Sequence, residues 1–283
     1  MRTGNLAGRL TLFTDGGAID VERASDGRFT ADPQAVYARW PEFVRWAAGA
    51  PGDPRPFSVQ DLLAPSPRPG QVFAIGANYR EHAAEGGVAV PESPMVFTKW
   101  PSSFTGPTGE ITLPSGTVDW EAELVVVIGR HAYRVSSDTA WDHVAGLTVG
   151  QDLSERTLQL QGQYPQMGLG KSFPGFSPTG PYLVTPDELD ARDRLTIGCS
   201  VNGETMQHAS TADLVFSVPA LIAELSSVLT LEPGDVIFTG TPAGVGMVRN
   251  PPRFLQAGDE LFTYIEGIGE MRHTFTANSQ ETA

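Results

Sequence analysis

The sequence predicts an α+β chain that is mostly β, with a small N-terminal domain over residues 1–69 and a larger body over residues 70–283. Three observations carry this. Glycine and proline number 31 and 23 among 283 residues, which suits many turns between short strands better than a helical bundle. Apolar runs of strand length recur, as in Val72-Phe-Ala-Ile-Gly76, Gly146-Leu-Thr-Val-Gly150 and Val236-Ile-Phe-Thr239. Pro51, Pro54, Pro56, Pro65, Pro67 and Pro69 crowd a segment too proline-rich for a packed element, which places a boundary near Gly70.

The totals exclude several classes. With 40% hydrophobic and 18% charged residues the chain is an ordinary globular protein with material for a sizeable core. A net charge of −14 argues against nucleic-acid or anionic-membrane partners, which need a basic face. The single Cys199 excludes an internal disulfide and a thiolate metal cluster. No run reaches the length of a membrane span, and residues 1–13 lack the apolar stretch of a signal peptide, so a cytoplasmic protein is expected.

In chain order, residues 8–13 alternate apolar and polar and turn at Asp15-Gly-Gly17, a small hairpin. Asp32-Pro33 caps a helix with Val36, Trp40, Phe43, Val44 and Ala47 on one face and Pro41 as a candidate kink. The strand at 71–76 leads into a short helix stopped by Gly86-Gly87. On it His82 and Glu85 stand three residues apart, the spacing for a carboxylate that orients a general-base imidazole. Another strand spans 94–99. A capped helix follows Ser136 and Ser137, and the strand at 146–150 delivers Asp152. Arg156 and Gln159 share a helical face, and Lys171 rides a flexible glycine loop. Gly170-Lys171-Ser172 resembles the end of a phosphate-binding loop, but Pro165 stands where that motif needs its first glycine. Strands then surround a turn at Asn202-Gly203, Ser217 caps an apolar helix, and the strand at 236–239 ends in the glycine-rich 240–246. A last strand covers 261–265, with a frayed tail after Thr276.

The most informative stretch is Asp119-Trp120-Glu121-Ala122-Glu123, which opens a strand covered on both faces through Ile128. Period-two alternation puts Asp119, Glu121 and Glu123 on one face, where they repel one another. A hard divalent cation with oxygen ligands is the economical remedy, and Asp152 can reach the same point from another element. His131, His143, His208 and His273 read as structural or surface residues, and Cys199 as core.

Five short motifs in register now carry a resemblance: Gly76-x-Asn78-Tyr79-x-x-His82; Asp119-Trp-Glu121-Ala-Glu123-Leu; Gln151-Asp152-Leu-Ser-Glu-Arg156; Gly170-Lys171-Ser172; and Gly234-Asp235-Val-Ile-x-Thr-Gly240-Thr241-Pro-x-Gly-Val-Gly246. Together, over about residues 72–269, they resemble the fumarylacetoacetate hydrolase family. The resemblance implies a mixed β-sandwich roll, usually a homodimer, with residues 70–283 as the catalytic domain. It implies Mg²⁺ or Mn²⁺ held by Glu121, Glu123 and Asp152, with Asp119 behind them. The activity it implies is hydrolysis of a C–C bond in an acylpyruvate or 2,4-diketo acid. The alternatives are oxaloacetate-type decarboxylation or 2-hydroxy-dienoate isomerisation at the same site and, from another class, a non-catalytic metabolite sensor. In that frame His82 is the base oriented by Glu85. Lys171, with Gln159, meets developing negative charge, and Arg156 and Thr241 bind the substrate carboxylate or brace the site. Two departures flank Asp152: many relatives have Asn where this chain has Gln151, and Ala-Arg-Asp where it has Glu155-Arg156-Thr157.

Overall fold

The computed structural model of the protein describes residues 1–278. An 11-stranded mixed sheet runs in the order Gly17–Asp20, Arg9–Thr14, Arg2–Leu6, Ser177–Val184, Val144–Gln151, Ala122–Ile128, Val236–Phe238, Val72–Gly76, Met95–Phe97, with Leu62–Leu63 and Phe104–Thr105 paired off this path. A five-stranded sheet follows the order Glu204–Ser210, Thr196–Val201, Glu260–Ile265, Gly269–Ala277, Thr108–Leu113. The mostly-β roll expected from the resemblance is the observed architecture.

Every residue of Ala122–Ile128 and of Val144–Gln151 is buried. Alternation divides the first of these strands between two cores. Leu124, Val126 and Ile128 pack with Ile197, Cys199, Leu261 and Phe275 of the five-stranded sheet. Val125 and Val127 face the other way, onto Trp40, Phe43, Val72 and Phe238. A strand enclosed on both sides is a rigid platform, and its first residues are the acidic ones.

Local detail departs from the sequence reading in places. The N-terminal hairpin gains a preceding strand, Arg2–Leu6, whose far edge pairs with Ser177–Val184 and so joins the main sheet. The first helix starts as a 3-10 turn, Ala35–Arg39. Pro41 lies in the first turn of the α-helix Trp40–Ala47, where it needs no N–H partner and makes no kink. Asn202 and Gly203, both at positive φ, form the expected tight turn. The frayed tail expected after Thr276 lies, from residue 279 on, outside the described residues, and Thr276 and Ala277 close the last strand. Among the described residues no helix is long and apolar enough to cross a membrane.

Candidate active site

The acidic stretch is not one continuous strand. Val118–Asp119 pairs with Ser154–Glu155, and the main strand starts only at Ala122, so the chain breaks at Trp120 and Glu121. Three contacts hold the break. The Trp120 indole is fully buried and donates to the Gly244 carbonyl at 3.1 Å. The Gln151 side chain accepts the Glu121 N–H at 2.8 Å and donates to Thr263 Oγ1 at 2.9 Å in the other sheet. The Asp152 N–H donates to the Glu121 carbonyl at 2.9 Å, which joins two of the acids through their backbones.

This break corrects the expectation that Asp119, Glu121 and Glu123 share one face. The acids that converge are Glu121, Glu123 and Asp152, all buried, each with a carboxylate oxygen within 4.8 Å of the others. Asp119 is turned away, accepting from Arg156, from its own neighbour Trp120 N–H and from the Gly246 and Met247 N–H groups.

Cations surround the triad. Lys171 Nζ donates to Glu121 Oε2 at 2.8 Å, Asp152 Oδ2 at 2.6 Å and Ser154 Oγ at 2.8 Å. Arg156 Nη2 lies 2.7 Å from Glu121 Oε1, and its Nη1 donates to Gln159 Oε1 at 2.9 Å. The flexible loop expected for Lys171 is instead the end of a short helix, Met167–Gly170, with the lysine buried. The glycines there serve close packing: a Cβ on Gly170 would meet the backbone of Glu155 and Gln159 at 2.8 Å.

The charges respond unequally. Burial pushes the Glu121 carboxyl up, but the charges of Lys171, Arg156 and His82 outweigh it and bring its pKa down to about 2. Burial also raises Glu123, and Asp152 and Glu121 add to it, so Glu123 stays well above the usual carboxylate range. The Gly240 N–H donates to it at 2.7 Å, and among the described residues it has no ion pair. A buried all-oxygen triad with one under-compensated member suits a hard dication such as Mg²⁺ or Mn²⁺, and these residues fit that ion.

His82 and Glu85 meet as the spacing requires, with His82 Nδ1 2.8 Å from Glu85 Oε1. The second carboxylate oxygen of Glu85 accepts the Gly244 N–H at 2.8 Å, which ties the helix Arg80–Glu85 to the glycine-rich loop. A cavity of about 270 Å³ is lined by His82, Glu121, Arg156, Gln159, Lys171 and Thr241 together with apolar side chains that include Met95, Met167 and Met247. Thr241 lines it with its hydroxyl already engaged, donating to the Ala122 carbonyl and accepting from Gln207 Nε2. A larger cavity of about 520 Å³, beside the N-terminal strands and residues 52–61, contains none of the predicted site residues.

Sequence reasoning missed Lys99, whose buried ammonium lies 2.5 Å from Asp152 Oδ1. It also missed Gln207, which accepts the Ala122 N–H while holding Thr241 and the Pro242 carbonyl. A lysine at a strand end and a glutamine within a strand carry no signal of burial in sequence.

The family profile described as fumarylacetoacetate (FAA) hydrolase C-terminal matches residues 71–276. The chain belongs to the fumarylacetoacetate hydrolase family. Among its curated relatives, human mitochondrial oxaloacetate tautomerase FAHD2A is 46% identical over 216 residues, covering 76% of this chain and 69% of the relative. A crystal structure of a Mycobacterium smegmatis protein provisionally named HpcE superposes with a TM-score of 0.96 at 53% identity, over 99% of this chain and 100% of that one. Fumarylpyruvate hydrolase from Pseudomonas aeruginosa, solved with Mn²⁺ and pyruvate, shares 30% identity at a TM-score of 0.68, over 74% of this chain and 91% of that one. The chain is therefore an enzyme-family member with a buried acidic triad suited to a divalent cation, and its human, bovine and Xenopus laevis relatives carry the name oxaloacetate tautomerase.

Proposed function

We propose that the chain catalyses proton transfer at the carbon next to the keto group of a small 2-oxo acid, as keto–enol tautomerisation of an oxaloacetate-like substrate. The observation that carries this reading is His82, held by Glu85, on the same cavity as Lys171 and Arg156, which sets a base beside fixed positive charge. The 46% identity to a protein named oxaloacetate tautomerase supports it. Glu121, Glu123 and Asp152 hold Mg²⁺ or Mn²⁺ in this reading. Bound there, the ion would supply electrophilic stabilisation of negative charge on the substrate oxygens.

The residues of the chain do the rest. Glu85 engages Nδ1 of His82, which leaves Nε2 to take the proton from the substrate carbon. Negative charge that then gathers on the keto oxygen is met by the Lys171 ammonium, with Gln159 beside it. The imidazolium then gives that proton to the oxygen, completing the enol; in the reverse direction the base takes the enol proton and delivers it to the carbon, so the base is regenerated and no other reactant is consumed. Arg156, fixed by Asp119 and Gln159, binds the substrate carboxylate, and Thr241 braces the start of the Ala122–Ile128 strand. A homodimer, as the resemblance implies, is the working form.

A second reading is hydrolytic cleavage of an acylpyruvate or 2,4-diketo acid, with His82 taking its proton from water. The apolar lining of the 270 Å³ cavity favours it, since Met95, Met167 and Met247 would accept an acyl chain. The test runs both reactions on one Mg²⁺-loaded preparation: decay of the oxaloacetate enol absorbance, and cleavage of acetylpyruvate. Faster tautomerisation, lost in His82→Ala, is expected. Cleavage as the faster reaction would give the site to the second reading.

A further inference from the structure

Lys99 has no role in the chemistry above, yet it lies against the triad. Its side chain is fully buried, and its Nζ donates to Asp152 Oδ1 at 2.5 Å and to the carbonyl oxygen of Lys171. The Phe238 ring, 5.8 Å away, closes another side. The remaining carboxylate oxygen of Asp152 takes the Lys171 ammonium, so among the described residues the side-chain partners of this acid are the two lysines. Lys99 thus joins a carboxylate that follows the strand Val144–Gln151 to the main chain at the end of the helix Met167–Gly170.

We propose that Lys99 is a positioning residue for divalent-cation binding: it fixes the plane of the Asp152 carboxylate and the backbone at Lys171, so that Asp152 Oδ2 and the Lys171 side chain meet at the triad. The physical argument is one of alternatives. An aspartate at the end of a strand turns about its side-chain bonds unless its oxygens are held; among the described residues no backbone N–H holds either oxygen, so the carboxylate plane is set by Lys99 at Oδ1 and Lys171 at Oδ2 together. A buried ammonium is costly and persists only where its protons have fixed acceptors, which the Lys171 carbonyl and Asp152 supply. The same bond aligns both acceptors. Outer partners of this kind govern how well ligands present themselves to a metal, by about 10- to 100-fold in affinity.

The opposite role predicts the opposite sign. If Lys99 acted only as a nearby positive charge it would repel an incoming cation, and its removal would tighten metal binding. The inference rests on the reading of Glu121, Glu123 and Asp152 as a divalent-cation site. It is tested by isothermal titration of Mn²⁺ into the metal-stripped full chain, with the Mn²⁺ EPR spectrum of each variant and its melting temperature in EDTA alongside.

Lys99→Met is expected to bind Mn²⁺ at least about 10-fold more weakly than wild type, with an altered EPR spectrum, and Lys99→Arg to recover part of the loss. If Lys99→Met does not fold, Lys99→Gln, which keeps a neutral donor, is read in its place and is expected to fall between wild type and that loss. Equal or tighter Mn²⁺ binding by these variants overturns the role of Lys99. Wild type that binds no Mn²⁺ overturns instead the reading of the triad.

Discussion

Arg156 and Asp119 are joined by two hydrogen bonds to one oxygen, Nε and Nη2 donating to Asp119 Oδ2 at 3.0 and 2.8 Å, while the Gly246 N–H donates to Oδ1 at 2.7 Å. Asp119 thereby orients the arginine that also touches Glu121, and it anchors the loop that carries Thr241. Its carboxylate is filled by donors, which explains why it takes no part in the triad.

The pair predicts a large loss on truncation. Asp119→Ala leaves a buried guanidinium with fewer partners and two loop N–H groups without acceptors, at a cost of about 3–5 kcal/mol. Urea denaturation of the variant against wild type measures it. A loss below about 1 kcal/mol would show that water or Glu121 replaces the contact.

The His82–Glu85 pair predicts a split between chemistry and metal binding. His82→Ala is expected to lower kcat by about 10²- to 10⁴-fold with Mn²⁺ affinity unchanged, because the imidazole is assigned no ligand role. Glu85→Gln keeps an acceptor for the Gly244 N–H but no longer favours the imidazolium, so it lowers kcat by less. Steady-state rates beside Mn²⁺ titrations separate the two effects.

Gly244 predicts a conformational penalty. It stands at φ +109°, and a Cβ there would lie 2.1 Å from the Met206 carbonyl oxygen. Gly244→Ala must move the loop that meets Glu85 and Trp120, at a cost of about 1–3 kcal/mol in backbone strain. A lower melting temperature together with a lower kcat is expected, and an unchanged kcat would uncouple this loop from His82.

His273 predicts acid sensitivity of the fold. Burial holds its imidazole down to a pKa of about 4, against an ordinary 6.5, although its Nε2 contacts the Gly106 carbonyl at 3.0 Å. Between those values the unfolded chain binds a proton that the folded chain refuses. The stabilisation is therefore present above pH 6.5 and is lost as pH falls through 4, by on the order of 3 kcal/mol. Urea midpoints at pH 7 and pH 4.5 are expected to diverge more for wild type than for His273→Gln, and parallel losses would contradict the assignment.

What the sequence made legible follows from the range of the forces involved. Glu121 and Glu123 were readable because acids in an apolar strand conflict with their surroundings locally, and His82 with Glu85 because helical spacing is local too. The break at Trp120 was not readable. It depends on the Gln151 side chain and on the Gly244 carbonyl, which come from distant parts of the chain. Lys99 was hidden for the same reason, since Asp152, 53 residues further on, is what keeps it buried. Helix faces were legible in part: Trp40 and Phe43 are buried as expected, whereas Val44 on the same predicted face is 36% exposed. The helix Trp40–Ala47 lies on the sheet with too narrow a contact to cover it.

The measurement that bears most directly on the central claim is the rate of enol-to-keto conversion of oxaloacetate by metal-stripped protein, before and after Mg²⁺ is restored, for wild type and for Glu121→Ala. EDTA is expected to abolish the enzymatic rate, Mg²⁺ to restore it in wild type, and Glu121→Ala to stay at the uncatalysed rate with metal present. Full activity in EDTA, or a Glu121→Ala variant that responds to Mg²⁺ as wild type does, would contradict it.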